Sequence, residues 1–275
     1  MNYKAVEFYD ADTEKQEILV AYLAEAGFEM FEETADGLKA FIGEGNYDEV
    51  KLEEEVISKF PDISYSVSQI QQQNWNELWE KNFEPMQIGD VYIRAPFHES
   101  RPGVKHELII EPKMSFGTGH HATTSLMILE MLKTDFHGKT VLDMGCGTSL
   151  LAILASKMGA KSILAIDIDD WAVENSIENC ARNNVHNVEA IKGDASALKE
   201  KHFDIILANI NRNVLLEDMP AYANVLPAGG QILFSGFYES DMEVIQNSAA
   251  ANGFQFLNSD AMNQWAVMRF SKMGD

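Results

Sequence analysis

The chain has 275 residues, 46% of them hydrophobic, enough for one large or two ordinary folded domains with a buried core. No apolar run approaches the length that spans a bilayer, and the opening MNYKAVEFYD lacks the basic and apolar regions of a secretory signal, so a cytoplasmic protein without membrane contacts is expected. The formal net charge of −22 is unevenly spread, with twenty Asp or Glu against six Lys or Arg in residues 1–85. Such a field repels a nucleic-acid backbone and argues against direct nucleic-acid binding; it suits a basic protein partner, or serves solubility alone.

Residues 3–9 read as a strand, and residues 13–26 as a helix with Asp12 or Thr13 placed to cap it and Gly27 to stop it. Strands follow at 28–33 and 38–42, joined across Ala35, Asp36 and Gly37. A helix over 48–60 ends before Pro61, and 63–70 alternates as a strand. The order βαββαβ predicts a small ferredoxin-like α+β domain over residues 1–72. In NWNELWEKNF, Trp75 and Trp79 are four apart and share one helix face, predicting a linker helix over 73–85.

Residues 86–111 read as short strands before a glycine-containing loop. From Lys139 onward strands and helices alternate: TVLDMG with a helix to Met158, SILAIDI with one over 171–183, and NVEAIKGD with a short irregular helix. FDIILANI then leads to a helix ending near Leu226, and GGQILFSGF to one ending near Asn252. Two closing strands, FQFLNSD and WAVMRFS, have no helix between them. Repeated βα units demand a parallel sheet covered on both faces, and the helix-free pair demands one antiparallel strand. The expectation for 86–275 is therefore an α/β domain with a seven-stranded, Rossmann-like methyltransferase sheet.

The cofactor signal is TVLDMGCGTS, a strand running into Asp143 and the closely spaced Gly145 and Gly147, with Asp167 at the end of the next strand. Glycines let the turn take otherwise forbidden dihedrals and approach a ligand closely, and a carboxylate at Asp167 can accept from both ribose hydroxyls. Asp167 lies twenty residues beyond Gly147, a spacing that a dinucleotide fold also shows. The third glycine of that fingerprint is absent, Leu150 standing in its place. Asp143, two residues before the first glycine, suits an ammonium-bearing ligand without a pyrophosphate: S-adenosylmethionine, with another nucleotide or a chance glycine turn as alternatives. No metal is implied. Cys146 and Cys180 lack metal-ligand spacing and read as reduced small hydrophobes.

With these segments in order (NWNELWEKNFEPMQIGD, FGTGHHATT, DMGCG, AIDID and ANI), the chain resembles the bacterial methyltransferases that modify large-subunit ribosomal protein L11. The resemblance implies a ferredoxin-like domain that recognises the ribosomal protein, a linker, and a catalytic domain that trimethylates lysine and amino-terminal amines with S-adenosylmethionine. It also implies action on the basic L11 protein free of the ribosome, and the chain is expected to be a monomer. Thr148 and Ser149 stand where the family usually has serine and glycine, and His120 and Ala122 where it has threonine and proline. Alternative readings are a methyltransferase for another protein or a small molecule, and a non-catalytic cofactor-binding regulator.

Asn209, at the end of FDIILAN, is the first candidate catalytic residue, because its amide oxygen can accept an amine proton without adding charge; a strand-end turn residue is the rival reading. His121 is the second, with Phe116 and Gly117 of the same loop beside the donor; a solvent-facing histidine is the alternative. By the resemblance Thr124 contacts the methionine end of the cofactor, although a plain helix cap would also explain it. Asp194 in KGD is placed to meet the adenine amino group, against a plain loop aspartate. Gly145, Gly147, Asp143 and Asp167 complete the cofactor set.

Overall fold

The computed structural model describes residues 3–9, 13–34, 37–60, 62–70, 84–111 and 121–274. Asp12, the Ala35–Asp36 turn, Pro61, the Trp75–Trp79 helix, Phe116 and Gly117 lie outside the described residues. The chain divides into two compact units, Met1–Asn82 and Phe83–Asp275.

In the first unit, β1 (Tyr3–Tyr9), α1 (Thr13–Glu25), β2 (Met30–Thr34), β3 (Gly37–Gly43) and β4 (Ser64–Ile70) form a sheet in the order β2-β3-β1-β4. Strand β1 lies antiparallel to both β3 and β4, which is the split βαβ arrangement expected from the element order. Alternate residues Val6 and Phe8 join Leu19, Leu23, Leu38 and Ile42 in one core. Helix α1 ends in a Schellman motif: the Phe28 N–H reaches Leu23 O (2.9 Å) and the Gly27 N–H reaches Ala24 O (3.1 Å), with Gly27 at φ +101°. The second helix, α2, read as one element over 48–60, changes hydrogen-bond pattern twice, from α (Glu49–Lys51) through a π turn (Leu52–Val56) to 3₁₀ (Ile57–Lys59). Only Leu52 and Val56 are buried along the π turn, with Glu53, Glu54 and Glu55 outside. Local periodicity does not encode such a change of pitch.

The second unit opens with a three-stranded sheet of β5 (Met86–Ile88), β6 (Val91–Arg94) and β7 (His106–Ile109). After α3 (Ala122–Met131) come β8 (Thr140–Met144), α4 (Leu150–Lys157), β9 (Ser162–Asp167), α5 (Asp170–Arg182) and β10 (Val188–Lys192). They are followed by β11 (Ile205–Asn209), α6 (Arg212–Val225), β12 (Gln231–Tyr238), α7 (Met242–Ala251), β13 (Phe254–Met262) and β14 (Trp265–Lys272). The seven-stranded sheet runs β10-β9-β8-β11-β12-β14-β13, and β14 is antiparallel to both of its neighbours. Alternate residues feed two cores: Ile205 and Leu207 enter one face, Ile206 and Ala208 the other. Both faces are therefore apolar, as a helix-covered parallel sheet requires.

The β13–β14 turn places Asn263 and Gln264 both at positive φ (52° and 69°), the type I′ geometry that matches strand twist. Buried Glu130 on α3 ties that hairpin down. Its carboxylate accepts from Asn258 (2.9 Å) and pairs with Lys133 (2.5 Å), while Arg269 lies at 3.8 Å.

Strand β12 carries a register shift between Ser235 and Phe237, and Gly236 within it sits at φ +94°. A Cβ there would lie 2.2 Å from Ile210 O, so no side chain fits. Gly236→Ala is expected to lower unfolding free energy by about 2–4 kcal/mol, read as a lower urea midpoint at constant slope. An unchanged midpoint would mean that the bulge can withdraw from Ile210.

Candidate functional site

Strands β9 and β10 build outward on one side of β8, and β11 continues on the other, so the sheet has its topological switch between β8 and β11. Loops leaving the carboxyl ends of strands diverge there and leave a crevice. A cavity of about 560 Å³ occupies it. Its walls include Gly145 and Gly147 after β8, Asp167 ending β9, Asp194 after β10, Asn209 ending β11, and His121 and Thr124 from α3 and its approach.

The glycine turn is held by three hydrogen bonds to the end of β9. Gly145 (φ +71°) and Cys146 donate their N–H groups to Ile166 O at 2.8 and 3.0 Å, and the Gly147 N–H donates to Asp167 Oδ2 at 2.9 Å. A Cβ on Gly145 would lie 2.2 Å from Ile210 Cγ2, so glycine is obligatory. Asp167 Oδ1 accepts from the Asp169 N–H (3.2 Å); each carboxylate oxygen thus holds one backbone donor and keeps lone pairs for another.

Asp143 does not reach the described lining of the cavity. Expected to meet the cofactor's ammonium, it is 1% exposed, and its Oδ2 accepts from the Ala152 N–H (3.0 Å) at the start of α4. It supports the turn from behind the cavity wall. Asp143 shares the face of β8 that carries Val141, the face against which α4 packs. Burial pushes its pKa up to about 7; the Ala152 N–H opposes this, and the Asp167 charge adds to it.

Thr124 belongs to the first turn of α3, not to its cap. His121 is the cap, its Nδ1 accepting from the Thr123 N–H at 3.3 Å and lying 2.8 Å from Thr123 Oγ1. The same imidazole stands edge-on to Trp265, ring centroids 4.7 Å apart, so it is not a solvent-facing loop residue. Thr124 Oγ1 is buried and unpartnered, and so is Asn209 Oδ1. The bonding anticipated for a turn residue at 209 is made by Asn211, which accepts from the Asn213 and Val214 N–H groups. Asp194 makes the local bond of a loop aspartate, accepting from the Ser196 N–H (2.8 Å), and also lines the cavity; Ser196 holds its pKa below the usual range.

Sequence reasoning missed Trp265 and Tyr238, stacked with centroids 4.2 Å apart, of which Trp265 lines the cavity. They come from the last strand and from the end of β12, far from every motif, and only the β12–β14 pairing joins them. It also missed Asp218 of α6, a lining residue whose pKa is raised by burial against the opposing Tyr222 hydroxyl (3.2 Å). Cys146 lines the cavity, but burial pushes its thiol far up, and Cys180 is pushed up to about 11 by the same cause, so neither is a ready nucleophile.

Four aspartates line the cavity (Asp167, Asp169, Asp194 and Asp218) and, among the described residues, no Lys or Arg does. A pyrophosphate would find no cation among these described lining residues. A sulfonium and an ammonium are suited, and two unpartnered oxygens await donors or polarised C–H groups.

Together the seven-stranded sheet with its reversed strand and this anionic crevice define the class, a Rossmann-like S-adenosylmethionine-dependent methyltransferase. The family model described as ribosomal protein L11 methyltransferase (PrmA) matches residues 2–273. The chain belongs to that family, and is a protein methyltransferase. It is 46% identical over 279 residues to the ribosomal protein L11 methyltransferase of Phocaeicola vulgatus, covering 98% of this chain and 99% of the relative. It is 47% identical over 270 residues to that of Porphyromonas gingivalis, covering 93% and 90% respectively. The crystal structure of a ribosomal protein L11 methylase from Lactobacillus delbrueckii subsp. bulgaricus superposes with TM-score 0.66 at 29% identity, covering 70% of this chain and all of that one.

Because Asp143 has a higher pKa folded than unfolded, the native state binds the extra proton between about pH 4 and pH 7, so this residue's contribution to stability falls as pH rises through that window. Asp143→Asn keeps an acceptor for Ala152 and removes the titration. Its unfolding free energy is expected to gain on wild type by a few kcal/mol, roughly, across the window. Parallel curves from urea titrations at each pH would reject the buried-acid account.

Proposed function

We propose that the chain transfers methyl groups from S-adenosylmethionine to lysine and amino-terminal amines of ribosomal protein L11, carrying them to the trimethylated state on the free protein in the cytoplasm. The support is chemical: a cavity with four carboxylates, no Lys or Arg among its described lining residues, and two buried oxygens without partners suits a cationic donor and an uncharged amine. The acidic first 85 residues suit a basic substrate in the same way.

When bound, S-adenosylmethionine supplies an electrophilic methyl on a sulfonium, whose departure leaves a neutral thioether. In this reading the remaining lone pairs of Asp167 accept the ribose hydroxyls, Asp194 meets the adenine amino group, and Thr124 Oγ1 takes the methionine end. Phe116 and Gly117 are assigned to the same pocket by the resemblance. Gly145 and Gly147 permit close backbone approach, and Asp143 acts through the turn it supports.

A lysine amine with pKa near 10.4 needs about 4–5 kcal/mol to expose its lone pair at pH 7, an α-amine only about 1. Asn209 Oδ1 accepts an N–H from the acceptor without adding a charge that would favour the ammonium. His121, held against Trp265, shapes the wall beside it. Such a site works by orienting the partners and excluding water, with no enzyme nucleophile required.

Incubation with methyl-labelled S-adenosylmethionine and purified L11 should place label in L11, and intact-mass measurement should show whether each amine reaches three methyl groups. Label in another component of a lysate, with none in L11, would point to a different substrate; calorimetric binding without turnover on any fraction would point to a regulator. Asp167→Ala should weaken cofactor binding at least about tenfold, since it removes charge-assisted acceptors; calorimetry showing equal affinity would move the ribose elsewhere. Asn209→Asp sets an anion beside the amine and should raise its pKa by about 1–2 units. The rise of kcat/KM with pH should shift to the alkaline side accordingly, and an unshifted profile would remove Asn209 from the acceptor site.

A further inference from the structure

Ser149, the last residue before α4, sits at φ +58°, ψ +25°, a left-handed conformation that costs a residue with a Cβ, and among non-glycine residues one that serine has little intrinsic means to hold. Its side chain makes no cap bond to its own helix, although it occupies the cap position. Instead the hydroxyl points sideways, fully buried, onto the Ser176 hydroxyl of α5, also fully buried. One turn further along α5, Asn179 Nδ2 donates to Thr148 O at 3.1 Å. The backbone inside the turn agrees: the Ser149 N–H reaches Cys146 O (2.7 Å) and Ser149 O receives the Ile153 N–H (2.8 Å). Two consecutive turn residues are therefore held by two side chains of a neighbouring helix.

Asn179 is also tied at its other end. Its Oδ1 accepts from the Glu111 N–H (2.9 Å), while Asn183 Oδ1 accepts from the Ile109 N–H (2.9 Å) and its Nδ2 donates to Ile109 O (2.6 Å). Residues four apart on a helix are about 6 Å apart in rise, and residues two apart on a strand about 6.7 Å, so the two side chains match the odd residues of one strand edge. The even residues of that segment bond to the other side, as the Ile110 N–H does to Arg94 O (2.9 Å). Helix α5 thus stands in for a strand, and its position is referred to the β5–β7 sheet as well as to the β8 turn.

We propose that Ser176 and Asn179 are positioning residues for methyl transfer: they hold Ser149 in its left-handed conformation, and with it the cavity-lining residues Gly147, Thr148 and Leu150. This rests on the reading of that cavity as the S-adenosylmethionine site. Because the clamp offsets a strain that glycine would not feel, its value depends on what stands at position 149.

The test is a mutant cycle on the full chain, with calorimetric affinity for S-adenosylmethionine and steady-state KM and kcat as readouts. Ser176→Ala is expected to weaken donor affinity and raise donor KM by about tenfold, with kcat at saturating donor changed much less. Ser149→Gly alone should bind near wild type, and Ser149→Gly with Ser176→Ala should bind like Ser149→Gly. Ser176 also contacts the Cys146 and Cys180 thiols, so a loss by that route would appear equally in both backgrounds. Equal effects of Ser176→Ala in the two backgrounds, or no effect in the serine background, would overturn the proposal while leaving the functional reading intact. A wild-type chain that fails to bind the donor would overturn both.

Discussion

Ile210 is gripped between two glycines, and the geometry of the crevice depends on that grip. From the β8 side Gly145 approaches so closely that a Cβ would come within 2.2 Å of its Cγ2; from the β12 side Gly236 approaches its carbonyl oxygen to the same distance. Both glycines are at positive φ, so the two backbones flanking β11 are bent toward the peptide that follows Asn209. Three neighbouring strands end in contact at one residue. Asn209 cannot shift along or across the sheet without displacing the glycine turn on one flank or the β12 bulge on the other. The main chain from which its unpartnered oxygen projects is consequently placed by backbone packing.

Behind that contact lies a second constraint, electrostatic in kind. Asp143 is carried into the interior by β8, where a charge is costly, and its one backbone donor comes from the first turn of α4. The bond serves a helix N-terminus whose own cap residue, Ser149, contributes no side-chain acceptor. A helix that starts within one residue of the cofactor turn has no room for an ordinary capping segment. The cap is supplied from the strand beneath, and the cap residue is freed to bond sideways to α5. Asp143, Ser149, Ser176 and Asn179 thus do one job, holding a tight turn that enters its helix abruptly.

How much of this was legible in the chain follows from range. The apolar runs at 140–144, 162–167 and 205–209, alternating with helices, and the helix-free closing pair led to a parallel sheet with one reversed strand, which the strand order bears out. Glycine and aspartate at fixed offsets marked Gly145, Gly147 and Asp167, because their roles are local to one turn and one strand end. The burial of Asp143 and its bond to α4 carried no sequence signal, since residues on opposite faces of a strand look alike in a motif and only packing distinguishes cavity from core. Thr124 falls inside the first turn of its helix and not at the cap because His121, an uncommon cap, starts that helix earlier. Trp265 and Tyr238 carried no signal at all: two aromatics separated by a helix and a strand meet only through an antiparallel pairing.

Strand order also sorts the crevice by charge. Asp167, Asp169 and Asp194 all follow β9 or β10, on one flank of β8, whereas Asn209, Gly236 and Trp265 come from β11, β12 and β14 on the other. The exception, Asp218, projects from α6, where burial raises its pKa and so weakens its hold on a charge, and the Tyr222 hydroxyl supplies its hydrogen bond. An amine methyltransferase needs this division. Carboxylates that steady a cationic donor would also steady a protonated acceptor, and one close anion can raise an amine pKa by a unit or more, adding about 1.4 kcal/mol per unit to the cost that burial is meant to remove. With three of the four lining acids on the β9–β10 flank and an amide and an indole on the other, the proposed reading has the same cavity favour positive charge at the donor end and a free lone pair at the acceptor end. In an open α/β sheet that separation is set by the point at which strand order reverses, so the fold itself keeps the two requirements apart.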